Sequence, residues 1–244
     1  MSRQKSWRTI CLDLLFPPRC LLCEQPLGLE EAAPLCRGCR GEIDYLRLPF
    51  CRCCGEKVAG DSNRRHLCGR CLGQPPPYLR ARACIRYDQP ASELLHRLKY
   101  CGDTSVLPGL EYIIRHAGSL EMPRPDLIVP VPLHPQRLKE RGLNQSVALA
   151  RLFFPGSLRH LHPDVLVRRR NTPAQTSLNG LARRKNLRGA FAVAENARVR
   201  GRTVCLVDDV YTTGTTVSEC SRTLLHAGAR EIVVLTLARV TPAL

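Results

Sequence analysis

The stretch that decides the fold and its site is VCLVDDVYTTGTT, residues 204–216. Its first four residues, up to Val207, are all apolar and predict a strand that is buried on both faces of a sheet. Asp208 and Asp209 follow directly, so two carboxylates stand at the end of that strand. Carboxylates in this position can hold ribose hydroxyls or a hydrated Mg²⁺, a hard cation that prefers oxygen ligands.

The rest of the stretch is a loop rich in hydroxyl groups, which consists of Thr212, Thr213, Gly214, Thr215 and Thr216. Gly214 permits a tight turn in which backbone N–H groups point inward. The helix that we predict from about Thr216 to Ala227 presents its positive N-terminal end to this loop, and such an end favours a phosphate group. The stretch therefore predicts a magnesium-assisted pocket for a phosphorylated ribose.

Two other structures would also contain an apolar strand that ends in Asp-Asp. A Walker B element requires G-x-x-x-x-G-K-[ST] elsewhere in the chain, and the sequence contains no such segment. A strand capped by polar residues, with the threonines serving only as helix caps, explains the loop but not the paired carboxylates. The sugar-phosphate pocket accounts for both.

The chain around this stretch alternates between short apolar strands and helices. We predict further strands near residues 81–87, 127–131 and 231–238, and helices near residues 91–100, 145–154 and 216–227. Strands of this kind form a mostly parallel sheet that helices cover on both faces. The predicted fold class is therefore α/β, and a ligand is expected at the carboxyl ends of the strands.

The N-terminal third differs, because it holds ten of the fourteen cysteines, mostly as C-x-x-C pairs. The two intervening residues let both sulfurs of a pair reach one zinc ion at about 2.3 Å. Successive pairing predicts two structural sites, although a crossed arrangement stays open, and Cys53 could replace Cys54. Free or disulfide-bonded cysteines would not explain the fourfold regularity. The proposed zinc ligands are Cys20, Cys23, Cys36, Cys39, Cys51, Cys54, Cys68 and Cys71.

The sequence QPPP at residues 74–77 predicts a stiff spacer, and we place the domain boundary there. Residues 1–78 would form an N-terminal helix and a double zinc ribbon, and residues 79–244 the α/β domain. Zinc would supply folding energy on the order of 10 kcal/mol to ribbons that have little core of their own. The helix is predicted by the spacing of Trp7, Ile10, Cys11, Leu14 and Leu15 on one face.

The chain of 244 residues carries a formal net charge of +16. Each zinc ion held by four thiolates has a net charge of about −2, so two sites would lower the total to about +12. The remaining charge suits a polyanionic partner, either a nucleic acid or a diphosphate substrate. The sequence shows no apolar run long enough to span a bilayer and no secretory signal, so we expect a soluble, cytoplasmic protein.

Basic residues are concentrated between positions 165 and 194, where the sequence contains no acidic residue. This set includes Arg183, and it could clamp a diphosphate, follow a nucleic-acid backbone or form a solvated surface. Asn179-Gly180 predicts a turn, so the segment could close over the pocket. Lys99 and Arg141 are more isolated candidates. Each lies in a short segment between regular elements, from which a charged side chain can turn towards a site.

The stretch 204–216 resembles the signature with which type I phosphoribosyltransferases bind phosphoribosyl pyrophosphate (PRPP). Together with the cysteine pairs, it makes the chain similar to the ComF family (ComFC/GntX-like competence-associated proteins). The similarity extends from LFPP at residues 15–18 to the last strand. The segments KYCGD at 99–103, VPVPL at 129–133 and RRRNTPAQ at 168–175 are similar to three further segments of that family. The additional Cys53 departs from its pattern.

The resemblance implies a type I phosphoribosyltransferase-like domain that binds PRPP with magnesium. Displacement at the ribose C1 carbon would release pyrophosphate, with Asp208 and Asp209 holding the ribose and the metal and Arg183 supporting the leaving group. The loop at residues 212–216 would bind the 5′-phosphate. No general base is evident, because a lone histidine such as His134 is more often structural. The other proposed substrate-binding residues are Lys99, Arg137, Arg141 and Gln175.

Two functions of different classes follow from these observations. The first is an enzyme that transfers a phosphoribosyl group from PRPP to an acceptor that the sequence does not identify. The second is a non-catalytic nucleic-acid-binding or regulatory protein that retains the pocket. Its partners would be single-stranded DNA or proteins of the DNA-uptake machinery, since the resemblance implies a link to competence. The low aromatic content of 5% argues against extended base stacking.

Overall fold

The computed structural model describes residues 17–28, 33–58, 66–88, 91–171, 187–195 and 197–241. The N-terminal helix that we predicted therefore lies outside the described residues. In chain order, the strands are β1 (Arg80–Arg86), β2 (Leu127–Pro130), β3 (Leu166–Arg168), β4 (Phe191–Val193), β5 (Thr203–Tyr211) and β6 (Glu231–Arg239). A central sheet contains four of them in the order β1-β6-β5-β2, and all of its pairs are parallel. The other two form a small antiparallel pair.

Helices cover both faces of the central sheet. The α-helices of the described residues are α1 (Arg37–Gly41), α2 (Gly69–Gly73), α3 (Ala91–Tyr100), α4 (Leu107–His116), α5 (Pro135–Arg141), α6 (Gln145–Phe153) and α7 (Thr215–His226). Cys205 and Val207 of β5 belong to a hydrophobic cluster with residues of α3, α4 and α6. Val204 and Leu206 belong to a second cluster, which includes residues of α7. This alternation buries β5 on both faces and confirms the predicted α/β fold class.

The predicted strands and helices agree with the observed ones to within about two residues, except at the decisive stretch. There, β5 does not end at Val207 but continues to Tyr211. Its register with β6 pairs Asp208 with Thr236 and Tyr211 with Arg239. The acidic pair therefore lies within a hydrogen-bonded strand and not in the loop that follows it.

The eight predicted cysteine ligands form two clusters, Cys20/Cys23/Cys36/Cys39 and Cys51/Cys54/Cys68/Cys71, in each of which the sulfur atoms lie within 4.8 Å of one another. A tetrahedral zinc ion with Zn–S bonds of 2.3 Å would place its sulfurs about 3.8 Å apart. The Sγ atoms of Cys23 and Cys36 are 3.6 Å apart, as are those of Cys54 and Cys68. Both clusters therefore fit structural zinc, with successive pairs together and not crossed. Cys53 lies outside them, because its thiol donates to the carbonyl of Tyr78 at 3.7 Å.

The first ribbon and the segment behind it pack against the α/β part of the chain. Cys20 and Leu35 share a buried cluster with Leu94 of α3 and Leu110 of α4. The backbone N–H of Leu46 donates to the carbonyl of Cys84 at 3.0 Å, which covers the free edge of β1. The division at residue 78 stays a prediction. No helix among the described residues is both long and apolar enough to cross a membrane.

Candidate functional site

The centre of the site is formed by Asp208 and Asp209, of which only 9% and 6% are exposed. Asp208 Oδ1 accepts hydrogen bonds from the hydroxyl of Ser146 at 3.2 Å and from the backbone N–H of Asp209 at 3.0 Å. Asp209 Oδ2 accepts from the side-chain amide of Gln145 at 3.4 Å and lies 2.9 Å from the ammonium of Lys99. Both carboxylates are therefore held by side chains from α6 or α3.

The charges of this cluster depend on each other. Burial raises the pKa of Asp208 to about 7, and the adjacent charge of Asp209 acts in the same direction. Burial by itself would lower the pKa of Lys99, but the attraction of Asp209 outweighs it and raises that pKa. Lys99 is therefore a permanent cation at neutral pH, and it neutralises the acidic pair on the side of α3.

The sequence KYCGD directs Lys99 to this position. Gly102 adopts a φ of +62°, and a Cβ atom there would lie 3.3 Å from the carbonyl of Arg141. Asp103 accepts from the backbone N–H of Ser105 at 2.9 Å and forms an ion pair with Arg97 at 2.7 Å. The contacts of Asp103 therefore fix the turn after α3, and Gly102 places this turn against the end of α5.

The start of α6 is fixed in a similar way. Asn144 accepts from the backbone N–H of Ser146 at 2.9 Å, and its amide donates to the carbonyl of Val131 at 3.1 Å. This cap ties the helix to the end of β2 and directs Gln145 and Ser146 towards the acidic pair. His134 caps α5 by accepting from the N–H of Gln136 at 3.3 Å.

Arg137 and Arg141, two of the predicted substrate-binding residues, lie near Arg168, which belongs to the family-like segment RRRNTPAQ. Burial, and then the charge of Arg137, lowers the pKa of Arg168, and Arg141 contributes in the same direction. Asp208 opposes this effect, so Arg168 lies within electrostatic range both of Asp208 and of the two other guanidinium groups. The guanidinium of Arg141 also lies 5.3 Å from the ring centre of Tyr100. These residues form a group of positive charges, of which Arg168 interacts with the acidic pair through Asp208.

The predicted phosphate loop lies between the end of β5 and the start of α7. Gly214 has a φ of +75° and is the N-cap of α7, so the cap residue itself has no side chain, and the backbone N–H of Thr215 donates to the hydroxyl of Thr213 at 3.4 Å. The hydroxyls of Thr213 and Thr215 are 2.7 Å apart and form a hydrogen bond. Gly214 is buried, whereas Thr212, Thr215 and Thr216 are half-buried and Thr213 is exposed. The N-terminal end of a helix with hydroxyls nearby is a suitable site for a phosphate.

The structure thus brings together Lys99, Asp208 and Asp209, with the threonine loop directly after them. Arg183 and Gln175 lie outside the described residues. Sequence reasoning gave no role to Ser146 or Tyr211, although both lie in or next to the quoted segments. Tyr211 is buried at the base of the loop, and its hydroxyl lies 2.6 Å from that of Tyr78. No local pattern could have indicated this contact, because the partner is 133 residues away in sequence.

Fold and site together define a class of protein in which a double zinc ribbon precedes an α/β domain with an acidic strand end and a threonine loop. Residues 11–71 match the family model described as a double zinc ribbon domain. DNA utilization protein YhgH of Escherichia coli (strain K12) is 35% identical over 238 residues, which cover 93% of this chain and 99% of that protein.

Two further relatives carry names that refer to competence. Competence protein F of Haemophilus influenzae is 32% identical over 231 residues, or 92% of this chain and 98% of the relative. Competence protein ComFC of Bacillus subtilis is 26% identical over 226 residues, or 86% of this chain and 89% of the relative. The chain therefore belongs to the ComF family, whose named members are linked to DNA utilization and competence.

Proposed function

We propose that the strand end binds PRPP with magnesium, and that the protein is a phosphoribosyltransferase that acts in DNA utilization. The observation that carries this proposal is the position of the Lys99–Asp209 ion pair and Asp208 directly before a phosphate-type loop. Buried carboxylates can accept hydrogen bonds from two ribose hydroxyls, and the N-terminal end of α7 can bind the 5′-phosphate.

The proposed reaction is a displacement at the ribose C1 carbon. A nucleophilic atom of the acceptor forms a bond to C1 while the bond from C1 to the pyrophosphate oxygen breaks, and its electron pair leaves with pyrophosphate. Arg137, Arg141 and Arg168 would stabilise the negative charge that develops on the leaving group. The carboxylate of Asp208 would stabilise the positive charge that develops on the ribose ring. The proposal does not specify the acceptor molecule.

The donor atoms near the strand end fit magnesium, because Asp208 and Asp209 offer carboxylate oxygens and hard cations prefer oxygen. Lys99 already neutralises Asp209, so we assign Asp208 and the diphosphate oxygens of the ligand to the metal. When bound, magnesium would neutralise part of the diphosphate charge. Magnesium usually has this kind of coordination, with one or two carboxylates and substrate phosphates.

Isothermal titration calorimetry with PRPP and Mg²⁺ tests the proposal. The wild type should bind, and Asp208→Asn/Asp209→Asn should reduce the affinity by at least about tenfold, because two charged hydrogen-bond acceptors are lost. The control is Asp164→Asn, since Asp164 is exposed and is not one of the residues assigned to the site. No heat with wild-type protein, or equal affinity in the double variant, would exclude the proposed pocket.

A second candidate function is nucleic-acid binding without catalysis, with single-stranded DNA or proteins of the DNA-uptake machinery as partners. Two observations favour it: the net charge of +16, and relatives whose names refer to DNA utilization and competence. Mobility shifts of single-stranded DNA over a salt series would test it. Binding through phosphates should weaken steeply as salt rises, and the absence of any shift at low salt would exclude this function.

A further inference from the structure

The second ribbon contacts the proposed phosphate loop through Arg70, which directly precedes the zinc ligand Cys71 in α2. The Nη1 atom of Arg70 lies 3.4 Å from the carbonyl oxygen of Thr213, and its Nη2 atom lies 3.2 Å from the hydroxyl of Tyr211. These bonds join parts of the chain that are 143 and 141 residues apart. One side chain of the zinc knuckle therefore donates both to the loop and to the tyrosine below it.

A second arginine reaches the same tyrosine from β6. Arg239 is almost fully buried, and its guanidinium lies 4.3 Å from the ring centre of Tyr211. It also donates to the carbonyl of Cys54 at 2.7 Å and forms an ion pair with Glu56. The Tyr211 ring is thus held through both halves of the second zinc site, by Arg239 on the side of Cys54 and by Arg70 on the side of Cys71.

The loop depends on the position of this ring. A Cβ atom on Gly214 would lie 2.3 Å from the Tyr211 hydroxyl, so the glycine backbone packs directly against the ring edge. Between α2 and α7 there is a cavity of about 340 Å³, whose lining includes Pro76, Thr215 and Arg222. Arg70 and Tyr211 also line this space, and their hydrogen bond connects the ribbon to the base of the loop across it.

The first ribbon has the same metal geometry but different neighbours. Its backbone accepts a hydrogen bond at the carbonyl of Leu21 from Arg97 of α3 at 2.6 Å, and the Leu21 side chain packs near Gly109 of α4. Among the described residues, the contacts of this ribbon are with α3, α4 and the edge of β1, and none is with the threonine loop. The second zinc ribbon therefore contacts the threonine loop, whereas the first packs against α3 and α4.

We propose that the second zinc ribbon is a built-in support of the phosphate loop, and that Arg70 is a positioning residue that acts through Tyr211. Zinc fixes Cys54 and Cys71, these fix the two arginines, and the arginines fix the ring on which Gly214 rests. Loss of either arginine contact should loosen residues 212–216 without removing any group that touches the ligand. The inference rests on the proposed function only for the identity of that ligand.

Hydrogen–deuterium exchange of a peptide that covers residues 204–218 tests the coupling without any ligand. Arg70→Ala should exchange about three- to tenfold faster in the loop, which corresponds to the loss of one or two hydrogen bonds. Arg70→Lys, which keeps one donor, should recover part of the protection. The matched control is Arg37→Ala, which removes an exposed arginine between the paired cysteines of the first ribbon. Equal loop exchange in wild type and Arg70→Ala would overturn the proposal.

A second variant keeps the test independent of the folding of α2. Tyr211→Phe retains the ring but removes the hydroxyl that bonds to Tyr78 and Arg70, so the loop should again exchange faster. Tyr87→Phe, at an exposed position after β1, is its control. Retention of about two zinc ions per chain would show that the metal sites are intact in each variant.

Titration with PRPP and Mg²⁺ separates this inference from the proposed function. If the wild type binds PRPP, Arg70→Ala should raise its Kd by about three- to tenfold, and Arg70→Lys should raise it less. If the wild type does not bind PRPP, the proposed function fails. Faster loop exchange in Arg70→Ala would then still show that the second ribbon holds the loop in place. An unchanged Kd together with unchanged exchange would overturn it.

Discussion

The two zinc ribbons repeat each other closely at the level of the metal site. The backbone N–H of Cys36 lies 3.3 Å from Cys20 Sγ, and that of Cys68 lies 3.3 Å from Cys51 Sγ. Each C-x-x-C pair of the second half of a ribbon begins a five-residue helix. Such short helices cannot be stable alone, so the metal must hold them in place.

Their surroundings differ completely. The first ribbon contributes apolar residues, such as Leu35, to a core that it shares with α3 and α4. The second forms a small cluster of its own cysteines with Val58 and Leu67, and of its cysteines Cys53 packs against the second cluster of the sheet. It is connected to the rest of the chain by polar contacts through Arg70, Arg82 and Arg239 and by a backbone hydrogen bond to Ala81. The same metal motif can therefore serve as a hydrophobic anchor in one copy and as a polar support for a loop in the other.

The largest expected effect is the loss of zinc. Elemental analysis should give about two zinc ions per chain, and about one in each of Cys36→Ser/Cys39→Ser and Cys68→Ser/Cys71→Ser. Because zinc binding contributes on the order of 10 kcal/mol to such modules, each double variant should unfold its own ribbon. One ion or none in the wild type would contradict the paired-site arrangement.

The next largest effect is on stability, and it should differ between the ribbons because the first contributes buried apolar residues to the core. Leu35→Ala removes a fully buried side chain of the first ribbon and should lower the free energy of unfolding by about 2–5 kcal/mol. Leu72→Ala, in the second ribbon, should change it by less than about 0.5 kcal/mol, because 65% of Leu72 is exposed. Urea denaturation measures both. Equal losses in the two variants would contradict the assignment of the anchor role to the first ribbon.

A smaller effect is expected at the loop that the second ribbon supports. Gly214→Ala places a Cβ atom against the Tyr211 ring at a φ of +75°, where an L-residue costs about 1–2 kcal/mol before any clash. PRPP affinity should fall by at least about tenfold, and the strain should lower the thermal midpoint by a few degrees. Gly156→Ala is the control, since a Cβ there meets no atom within 4 Å. Unchanged affinity would show that the loop does not bind the ligand.

The smallest expected effect compares two tyrosines, one beside each ribbon. Tyr78 is hydrogen-bonded to Tyr211, so Tyr78→Phe should cost about 1 kcal/mol. The buried hydroxyl of Tyr45, near the first ribbon, has no hydrogen-bond partner among the described residues, so Tyr45→Phe should be neutral or slightly stabilising. Thermal denaturation of both variants checks the difference. A greater loss from Tyr45→Phe would reverse the comparison.

The sequence predicted the features that depend on local spacing. Two residues between cysteines define a knuckle, and a run of apolar residues defines a buried strand, so the zinc ligands and β5 could both be located. The length of β5 could not, because Tyr211 belongs to the strand only through its pairing with Arg239 of β6. Likewise, the burial of Asp208 and Asp209 depends on α3 and α6, which come from elsewhere in the chain.

The contacts of the second ribbon lay beyond the reach of sequence patterns for the same reason. Arg239 lies 185 residues from Cys54, and no spacing rule connects them. The lysine of KYCGD was predicted as a substrate-binding residue, and the structure places it on Asp209. Its role towards a ligand stays a prediction, because the ion pair would equally serve to neutralise a buried acid.

The most direct test of the account is a crystal structure of the protein with PRPP and Mg²⁺. We expect the 5′-phosphate to accept hydrogen bonds from the backbone N–H groups of the loop at residues 212–216, with the ribose hydroxyls next to Asp208 and Asp209. A ligand bound elsewhere on the basic surface, with Lys99 and the acidic pair unchanged, would contradict the account.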